Sequence, residues 1–278
     1  MNEVKKMSRR TAILIMILIG IVAFFGGASF FESDYFEVDL PSSSQTANID
    51  NCNVMAFTIN GELSTYMYIP EGEQYSISSS EEIVDRILLA EDTENIKAVM
   101  LSVDSGGGDV VAGEEIANAL KRLSKPSVAV IRAMGASSAY WASTGADKIY
   151  ASKISDVGSI GITLSYLDQT SKDIKDGYKY IELTSAKHKG LGDPSRPITA
   201  EEKAITIADL KKNHDVFVEE VAKNRNLEVA DVAKLANGLS FTGVDALQYG
   251  LIDEIGDMIT ATKYIEDQIG EKAEICWQ

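Results

Sequence analysis

Short apolar runs alternate with stretches of helical spacing over the first half of this chain's folded part. The runs Asn53 to Ile59, Ile96 to Val103 and Val128 to Ile131 have the length and composition of buried strands. Apolar residues with helical spacing lie between them, at Ile83 to Leu88 and at Ala112 to Leu123. This alternation predicts an α/β fold in which helices cover the faces of a parallel sheet.

Two capping-box patterns predict where helices begin. Ser79 and Glu82 precede the first helical stretch, and Thr199 and Glu202 precede a longer one that we expect to reach about Ala222. The C-terminal third is therefore more helical than the rest. Further elements are expected as a strand at Lys148 to Ala151 and helices at Val229 to Leu235, Val244 to Tyr249 and Ile259 to Ile269.

The N-terminus has the pattern of a membrane anchor. Residues 1–11 form a basic segment, and residues 12–31 carry no charge, which is long enough to cross a bilayer core. A cleavable signal peptide, cut near the small residues at 26–28, is the alternative, but the uncharged run exceeds a usual signal core. Because basic residues precede the span, we expect a single-pass protein of the cell membrane, with its N-terminus cytoplasmic and the rest outside.

The remainder divides into a polar tether, residues 32–52, and one extracytoplasmic domain, residues 53–278. The net charge of −16 argues against nucleic acid as a partner. Only Cys52 and Cys276 are present, so no cysteine metal site is expected. An oxidising location would permit a disulfide between them, but this depends on the spacing of their Cα atoms, which the sequence leaves open.

A glycine-rich loop follows the second predicted strand, at Asp104 to Gly108. Three successive glycines before a helix allow the backbone to approach a ligand and to direct N–H groups at it. A phosphate site is one interpretation, but no lysine follows, and Asp109 would repel a phosphate. An oxyanion hole needs the same donors without a cation. A tight turn with no ligand is the structural alternative.

A second loop of small residues, Met134 to Trp141, follows the third predicted strand. Ser137 would lie at a helix N-terminus, where backbone N–H groups favour developing negative charge. Close packing of a helix on the sheet would explain the small residues equally well. The spacing of Gly135, Ser137 and Ala139 also resembles a nucleophile elbow, which requires an acid and a histidine downstream.

The two histidines give that triad little support. His214 falls in a helix with charged neighbours and is interpreted as a solvated residue, and His188 lies between Lys187 and Lys189 in a loop. The same loop offers a lysine as general base, although two loop lysines are ordinarily exposed cations. Lowering a lysine pKa from about 10.4 to near 8 costs roughly 3 kcal/mol, which desolvation in a closed site would supply.

In combination and order, these segments resemble the signal peptide peptidase A family. The resemblance runs from about Asn53 to Gly256 and, with the anchor, covers almost the whole chain. It is carried by the glycine loop after Ser105, the Met-x-Ala-Ser segment with Tyr140, Asp147-Lys148-Ile149, Gly158-Ser159-Ile160-Gly161, His188-Lys189 and Leu251-Ile252-Asp253-Glu254-Ile255-Gly256.

The resemblance assigns roles to the side chains of a Ser-Lys dyad. It implies that Ser137 is the nucleophile and that Lys189 is the general base, with Lys187 as the fallback if the loop alignment slips. Ser159 would hydrogen-bond the lysine amine and orient it. The oxyanion donors it implies are the backbone N–H groups of Gly108 and Ser138, with Gly107 close by.

The implied fold is that of Clp proteases and crotonases, with a superhelical core of parallel strands and subunits that form homo-oligomeric rings. The implied activity is endopeptidase cleavage of signal peptide remnants or other apolar peptides at the membrane, with no metal or cofactor. Two departures stand out. Gly106 replaces a usual proline, and Ser138 and Ala139 replace two glycines, which adds side chains beside the nucleophile.

Two other functions fit the same fold. A membrane-anchored binding or scaffold protein would keep the fold with the altered loops inactive, although retention of both Ser137 and Lys189 speaks against it. A crotonase relative acting on acyl-CoA would share the sheet and the oxyanion hole. Its intracellular substrate does not fit the expected outward location, and it would not need the lysine.

Overall fold

The computed structural model describes residues 51–67 and 76–278. The predicted basic segment, anchor and nearly all of the tether lie outside these residues. Within the described ranges, no helix combines the length and the apolar character that a membrane crossing requires.

One sheet of nine strands organises the described residues. Its order is β2-β1-β3-β4-β5-β8, with β9 also beside β1, β6 beside β4, and β7 beside β6. Every pairing is parallel except that of β6 with β7. The strands are β1 (Val54–Ser64), β2 (Ile77–Ser79), β3 (Ala98–Gly108), β4 (Ser127–Ala136), β5 (Lys148–Ala151), β6 (Asp156–Gly158), β7 (Ser240–Thr242), β8 (Glu254–Ile255) and β9 (Ile275–Trp277).

Helices lie between the strands and follow them, as the alternation predicts. All six helices predicted from spacing and capping are present, and the predicted α/β class with a mostly parallel sheet is confirmed. The described helices are α1 (Ser80–Asp92), α2 (Val110–Arg122), α3 (Ser138–Ser143), α4 (Thr170–Lys175), α5 (Ala200–Arg225), α6 (Val229–Leu235), α7 (Gly243–Gln248) and α8 (Met258–Ile269).

The capping boxes differ in completeness. At α5, Thr199 Oγ1 accepts the Glu202 N–H at 3.2 Å and Glu202 Oε2 accepts the Thr199 N–H at 2.9 Å, so the box is fully formed. At α1, Ser79 Oγ accepts the Glu82 N–H at 3.4 Å. The Glu82 carboxylate lies 3.8 Å from Arg86 one turn along the helix. Both helices begin where the sequence predicts.

Strands β3 and β4 extend further than the apolar runs indicate. β3 continues to Gly108, β4 continues to Ala136, and Ser105 pairs with Gly135 across them. Most of these terminal residues are small or polar, so they form no apolar run that would signal a strand. The extension brings the glycine loop and the Ser137 loop side by side at the carboxyl edge of the sheet, where parallel sheets place ligands.

Helix α3 is buried along its whole length and fixes the residue that precedes it. The Trp141 ring stacks on Phe217 of α5, with centroids 4.7 Å apart. The buried Tyr140 hydroxyl donates to the Leu251 carbonyl at 2.8 Å, and burial raises the pKa of this phenol. Ser137 therefore precedes a helix that packs rigidly into the core.

A disulfide joins the two ends of the domain. Cys276 lies on β9 and Cys52 just before β1, and because β9 pairs with β1 their Cα atoms are 5.8 Å apart. This contact depends on pairing between strands more than 200 residues apart in the chain. The possibility that the sequence leaves open is thus realised in the structure.

Replacing both cysteines with serine should lower the free energy of unfolding of the oxidised protein by about 2–5 kcal/mol, because the bond closes a very long loop. Urea unfolding with and without dithiothreitol measures the effect. Dithiothreitol should lower the free energy of unfolding of wild type to that of the Cys52→Ser/Cys276→Ser variant, and it should leave the variant's own value unchanged. Identical midpoints for oxidised and reduced wild type would contradict the prediction.

Candidate active site

Ser137 has a strained backbone. It lies between β4 and α3 with φ 53° and ψ −129°, a conformation that costs a residue with a side chain about 1–3 kcal/mol. Its N–H donates to the Gly158 carbonyl at 2.7 Å, and its carbonyl accepts the Trp141 N–H at 3.0 Å. These two hydrogen bonds hold Ser137 in its strained conformation. Backbone strain of this kind is concentrated at functional sites. The predicted position of Ser137 at a helix N-terminus is confirmed.

The glycine loop passes directly against Ser137. Gly107 has φ 96°, and a Cβ there would lie 2.8 Å from Ser137 Cβ and 3.0 Å from Ser138 N. The Gly107 N–H donates to Ser105 Oγ at 3.0 Å and is therefore already engaged. The absence of a side chain at Gly107 therefore allows the backbone of the glycine loop to lie in contact with Ser137 and Ser138.

The backbone directions favour the other two predicted oxyanion donors. Asp109 donates its N–H to the Leu63 carbonyl on β1 at 2.7 Å. N–H groups alternate in direction along an extended strand, so the Gly108 N–H lies on the side of β3 away from β1, where β4 and Ser137 lie. Ser138 is the first residue of α3, and the first N–H groups of a helix have no intrahelical acceptor. The roles of Gly108 and Ser138 stay predictions that this geometry favours.

The two added side chains beside the nucleophile do not face the cleft. Ser138 and Ala139 are fully buried, and neither lines the cavity at Ser137. Neither has a positive φ. Gly113 of α2 lies so close to the Ser138 backbone that a Cβ there would collide with it. These departures from the family pattern therefore leave the cleft open.

A cavity of about 490 Å³ opens beside Ser137. It combines apolar walls with hydroxyl, amide and imidazole groups, a composition typical of sites for small ligands or peptide side chains. Its lining residues are Gly106, Ser137, Ser159, Gly161, Ile162, Thr163, His214, Ala236, Asn237 and Gly238.

Ser159 shares this cavity with Ser137, as the resemblance implies. It is also strained, with φ 48°. Its N–H donates to the Leu239 carbonyl at 3.1 Å, and its hydroxyl donates to the Gly238 carbonyl at 3.1 Å. The hydroxyl oxygen retains its lone pairs, so it can still accept a hydrogen bond from an amine that enters the cavity.

His214 was wrongly interpreted from the sequence as a solvated residue. Its side chain is 31% exposed and lines the Ser137 cavity, with Nε2 2.9 Å from the Ala236 carbonyl oxygen. A carbonyl only accepts, so Nε2 carries a proton in this arrangement. The signal was present in the spacing, because His214 falls on the same helical face as the buried Phe217, Val218 and Val221.

The lysine loop is exposed and does not line the cavity. Lys189 is exposed, and its amine makes no hydrogen bond or ion pair with any residue in the described ranges. Lys187 is 2.6 Å from the Glu201 carboxylate, which also has His188 at 3.8 Å. Within one chain, the structure brings together Ser137, Ser159, Ser138 and the glycine loop. It does not bring Lys189 to them.

Residues 119–271 match the model of peptidase family S49. The chain belongs to peptidase family S49. The predicted family and the predicted class of enzyme, a serine peptidase, are confirmed.

Individual relatives extend the similarity over more of the chain. The chain is 31% identical over 263 residues to the protease-family protein MJ0651 of Methanocaldococcus jannaschii, covering 93% of this chain and 82% of that protein. It is 31% identical over 262 residues to Protease 4 of Haemophilus influenzae, covering 91% of this chain and 40% of that protein. A protein of Enterococcus faecium named for signal peptide peptidase SppA is 30% identical over 187 residues, 66% of this chain and 54% of that one. The chain thus spans about half or less of the latter two relatives.

A solved structure supports the fold. A serine-to-alanine mutant of the 1510-N membrane-bound stomatin-specific protease superposes with a TM-score of 0.53 at 15% identity, over 82% of this chain and 97% of that one. The mostly parallel α/β architecture is therefore compatible with the Clp and crotonase type that the resemblance implies.

Replacing Gly107 with alanine should lower the free energy of unfolding by about 1–3 kcal/mol and abolish peptidase activity, because the new Cβ must displace Ser137 or the backbone at Ser138. Gly106→Ala is the matched control for stability. Gly106 lies outside the left-handed region, and its Cβ would meet only Met134 Sδ at 3.5 Å. Urea unfolding compares the two variants, and equal stability would show that Gly107 is not required for close approach.

Proposed function

We propose that this chain is a membrane-anchored serine endopeptidase that cleaves signal peptide remnants or other apolar peptides with a Ser-Lys dyad. Ser137 is the nucleophile and Lys189 is the general base. The observation that carries this proposal is the strained Ser137 at the start of α3, in contact with the glycine loop and open to a cavity.

The reaction proceeds in two half-reactions. The neutral Lys189 amine takes the proton from Ser137 Oγ, which attacks the peptide carbonyl carbon. The N–H groups of Gly108 and Ser138 bind the resulting oxyanion. The C–N bond then breaks, and the Lys189 ammonium gives its proton to the leaving amine. A water molecule, deprotonated by the same lysine, hydrolyses the acyl-enzyme, while Ser159 orients the amine. No metal or cofactor takes part.

We further propose that Lys189 acts on the Ser137 of a neighbouring copy in a homo-oligomer. The lysine loop belongs to a segment that exposes many large apolar side chains, and such patches mark interaction surfaces. A second copy would cover them and would desolvate the amine, as a lysine base requires. The exposed residues are Leu164, Tyr166, Leu167, Ile174, Tyr178, Tyr180, Ile181, Leu183 and Leu191.

Two features support an extracytoplasmic site close to the membrane. The Cys52–Cys276 disulfide fits an oxidising compartment. The basic residues before the uncharged segment at 12–31 fit a cytoplasmic N-terminus. An anchor raises the local concentration of membrane-bound peptides at the site.

The apolar walls of the cavity, formed by Ile162 and Ala236, suit peptides with small apolar side chains.

The test is hydrolysis of an apolar fluorogenic peptide by the full chain in detergent micelles. We expect turnover, and we expect a fluorophosphonate to label Ser137, located by mass spectrometry of the digested protein. An oligomer that neither cleaves the peptide nor reacts with the fluorophosphonate would contradict the proposed activity and favour the scaffold function.

A further inference from the structure

Arg196 binds both sides of the lysine loop and the helix that follows it. Its Nη2 donates to the Gly190 carbonyl at 2.7 Å, and its Nε lies 3.0 Å from Glu182. Two further bonds form a bidentate pair with Glu202, at 2.9 Å from Nη1 and 2.6 Å from Nη2. One guanidinium thus joins the residue after Lys189, a residue before the loop, and the first turn of α5.

The group is packed as a unit rather than lying free on the surface. The Arg196 side chain is 20% exposed and that of Glu202 only 6%. Gly190 approaches the Glu182 carboxylate so closely that a Cβ would collide with it. Glu202 also completes the capping box of Thr199. Arg196 and Glu202 are therefore each held by more than one hydrogen bond, which gives the geometry specificity as well as energy.

The Arg196–Glu202 ion pair, the inner pair of this region, differs from the outer pair, which Lys187 of the lysine loop forms with Glu201. Lys187 and Glu201 meet through side chains that are 69% and 54% exposed, and such pairs contribute little. By contrast, the hydrogen bonds from Arg196 hold the pKa of Glu202 at about 2, and Glu202 in turn raises the pKa of Arg196. The inner pair consequently remains charged at any pH at which a lysine base is neutral.

Helix α5 connects this cluster to the body of the protein. Phe217 of α5 stacks on Trp141 of α3, and His214 lines the Ser137 cavity. A loop tied to the first turn of α5 thus occupies a fixed place relative to the core. Without the tie, the exposed loop would be free to sample many positions.

We propose that Arg196 and Glu202 are positioning residues for Lys189, holding the lysine loop in the place from which the amine reaches the Ser137 of a neighbouring copy. The inference rests on the proposed Ser-Lys function. Misplacement of a catalytic group by about 1 Å is enough to cost on the order of 100-fold in rate.

The test compares two adjacent substitutions in the full-length oligomer, Glu202→Gln and Glu201→Gln. Glutamine at 202 preserves the capping box and the side-chain shape but removes the charge that holds Arg196. We expect Glu202→Gln to lower kcat by about 10- to 100-fold with KM within about twofold, because substrate binding is untouched. Glu201→Gln should retain kcat within about twofold.

Arg196→Lys provides a second arm, since a lysine cannot make the fork to Glu202 together with the hydrogen bond to Gly190 and the ion-pair contact with Glu182. It should lose kcat as Glu202→Gln does, with oligomer size and circular dichroism unchanged. Full kcat in both variants would overturn the inference, as would a loss shared equally between kcat and KM. Failure of the proposed function is distinguishable, because Lys189→Ala would then retain activity.

Discussion

Replacing Ser137 with alanine should lower kcat/KM for an apolar peptide by roughly 1,000-fold or more, because it removes the hydroxyl that forms the acyl-enzyme in the proposed mechanism. Few other changes in the chain should have an effect this large. The strain at φ 53° predicts a second result. Ser137→Gly, which relieves the strain, should be inactive but at least as stable as wild type.

Ser138→Ala is the matched control for Ser137. The Ser138 hydroxyl is buried and has no hydrogen-bond partner in the part of the chain that the structure describes, so its removal should cost little stability. Its backbone N–H is kept, and activity should stay within a few-fold of wild type. Peptide hydrolysis and fluorophosphonate labelling measure both variants. If Ser138→Ala lost peptidase activity while Ser137→Ala kept it, Ser137 would be excluded as the nucleophile.

The second large effect is expected at Lys189. Lys189→Ala should lower kcat at neutral pH by an amount comparable to that of Ser137→Ala, because a nucleophile and its general base act as a unit, and removing either one costs nearly as much as removing both. Lys187→Ala should cost far less, since the Lys187 amine is engaged by Glu201. Steady-state kinetics on the variants measures the difference, and the reverse ranking would move the role to the fallback lysine.

Substitutions at the two histidines test whether a histidine is the general base, as a Ser-His-Asp triad would require. His188→Ala should retain most activity. His214→Ala should change KM more than kcat, because its ring lines the cavity while Nε2 is bonded to the Ala236 carbonyl. A loss with His214→Ala equal to that with Ser137→Ala would instead favour a histidine base.

The part of the fold that local pattern determines was predictable. The apolar runs of β3 and β4 and the Thr199 capping box place strands and helices correctly, because burial and helix capping act over a few residues. The ends of β3 and β4 could not be predicted in this way, because Gly108 and Ala136 are too small to carry a strand signal. Pairing of β9 with β1, which forms the disulfide, depends on contacts across the whole domain.

The candidate site shows the same division. Ser137 and the glycine loop follow predicted strands, so the carboxyl edge of a parallel sheet places them together. The Arg196 cluster draws Glu182 and Glu202 from opposite sides of a loop, and no spacing rule predicts that. Burial of the departures Ser138 and Ala139 depends on the packing of α3 against α2. Within one chain Lys189 does not reach Ser137, and the proposed approach through a neighbouring copy would depend on contacts that no local pattern encodes.

Mixing two inactive variants tests the central claim most directly. In the proposed oligomer, co-expressed Ser137→Ala and Lys189→Ala chains would assemble so that some intact Ser137 residues face an intact Lys189 from a neighbour. If the dyad forms between copies, random assembly at equal amounts should restore about a quarter of wild-type peptide hydrolysis, since each partner is intact with a probability of about one half. Mixed oligomers that remain as inactive as either variant alone would contradict a Ser-Lys dyad shared between neighbouring copies.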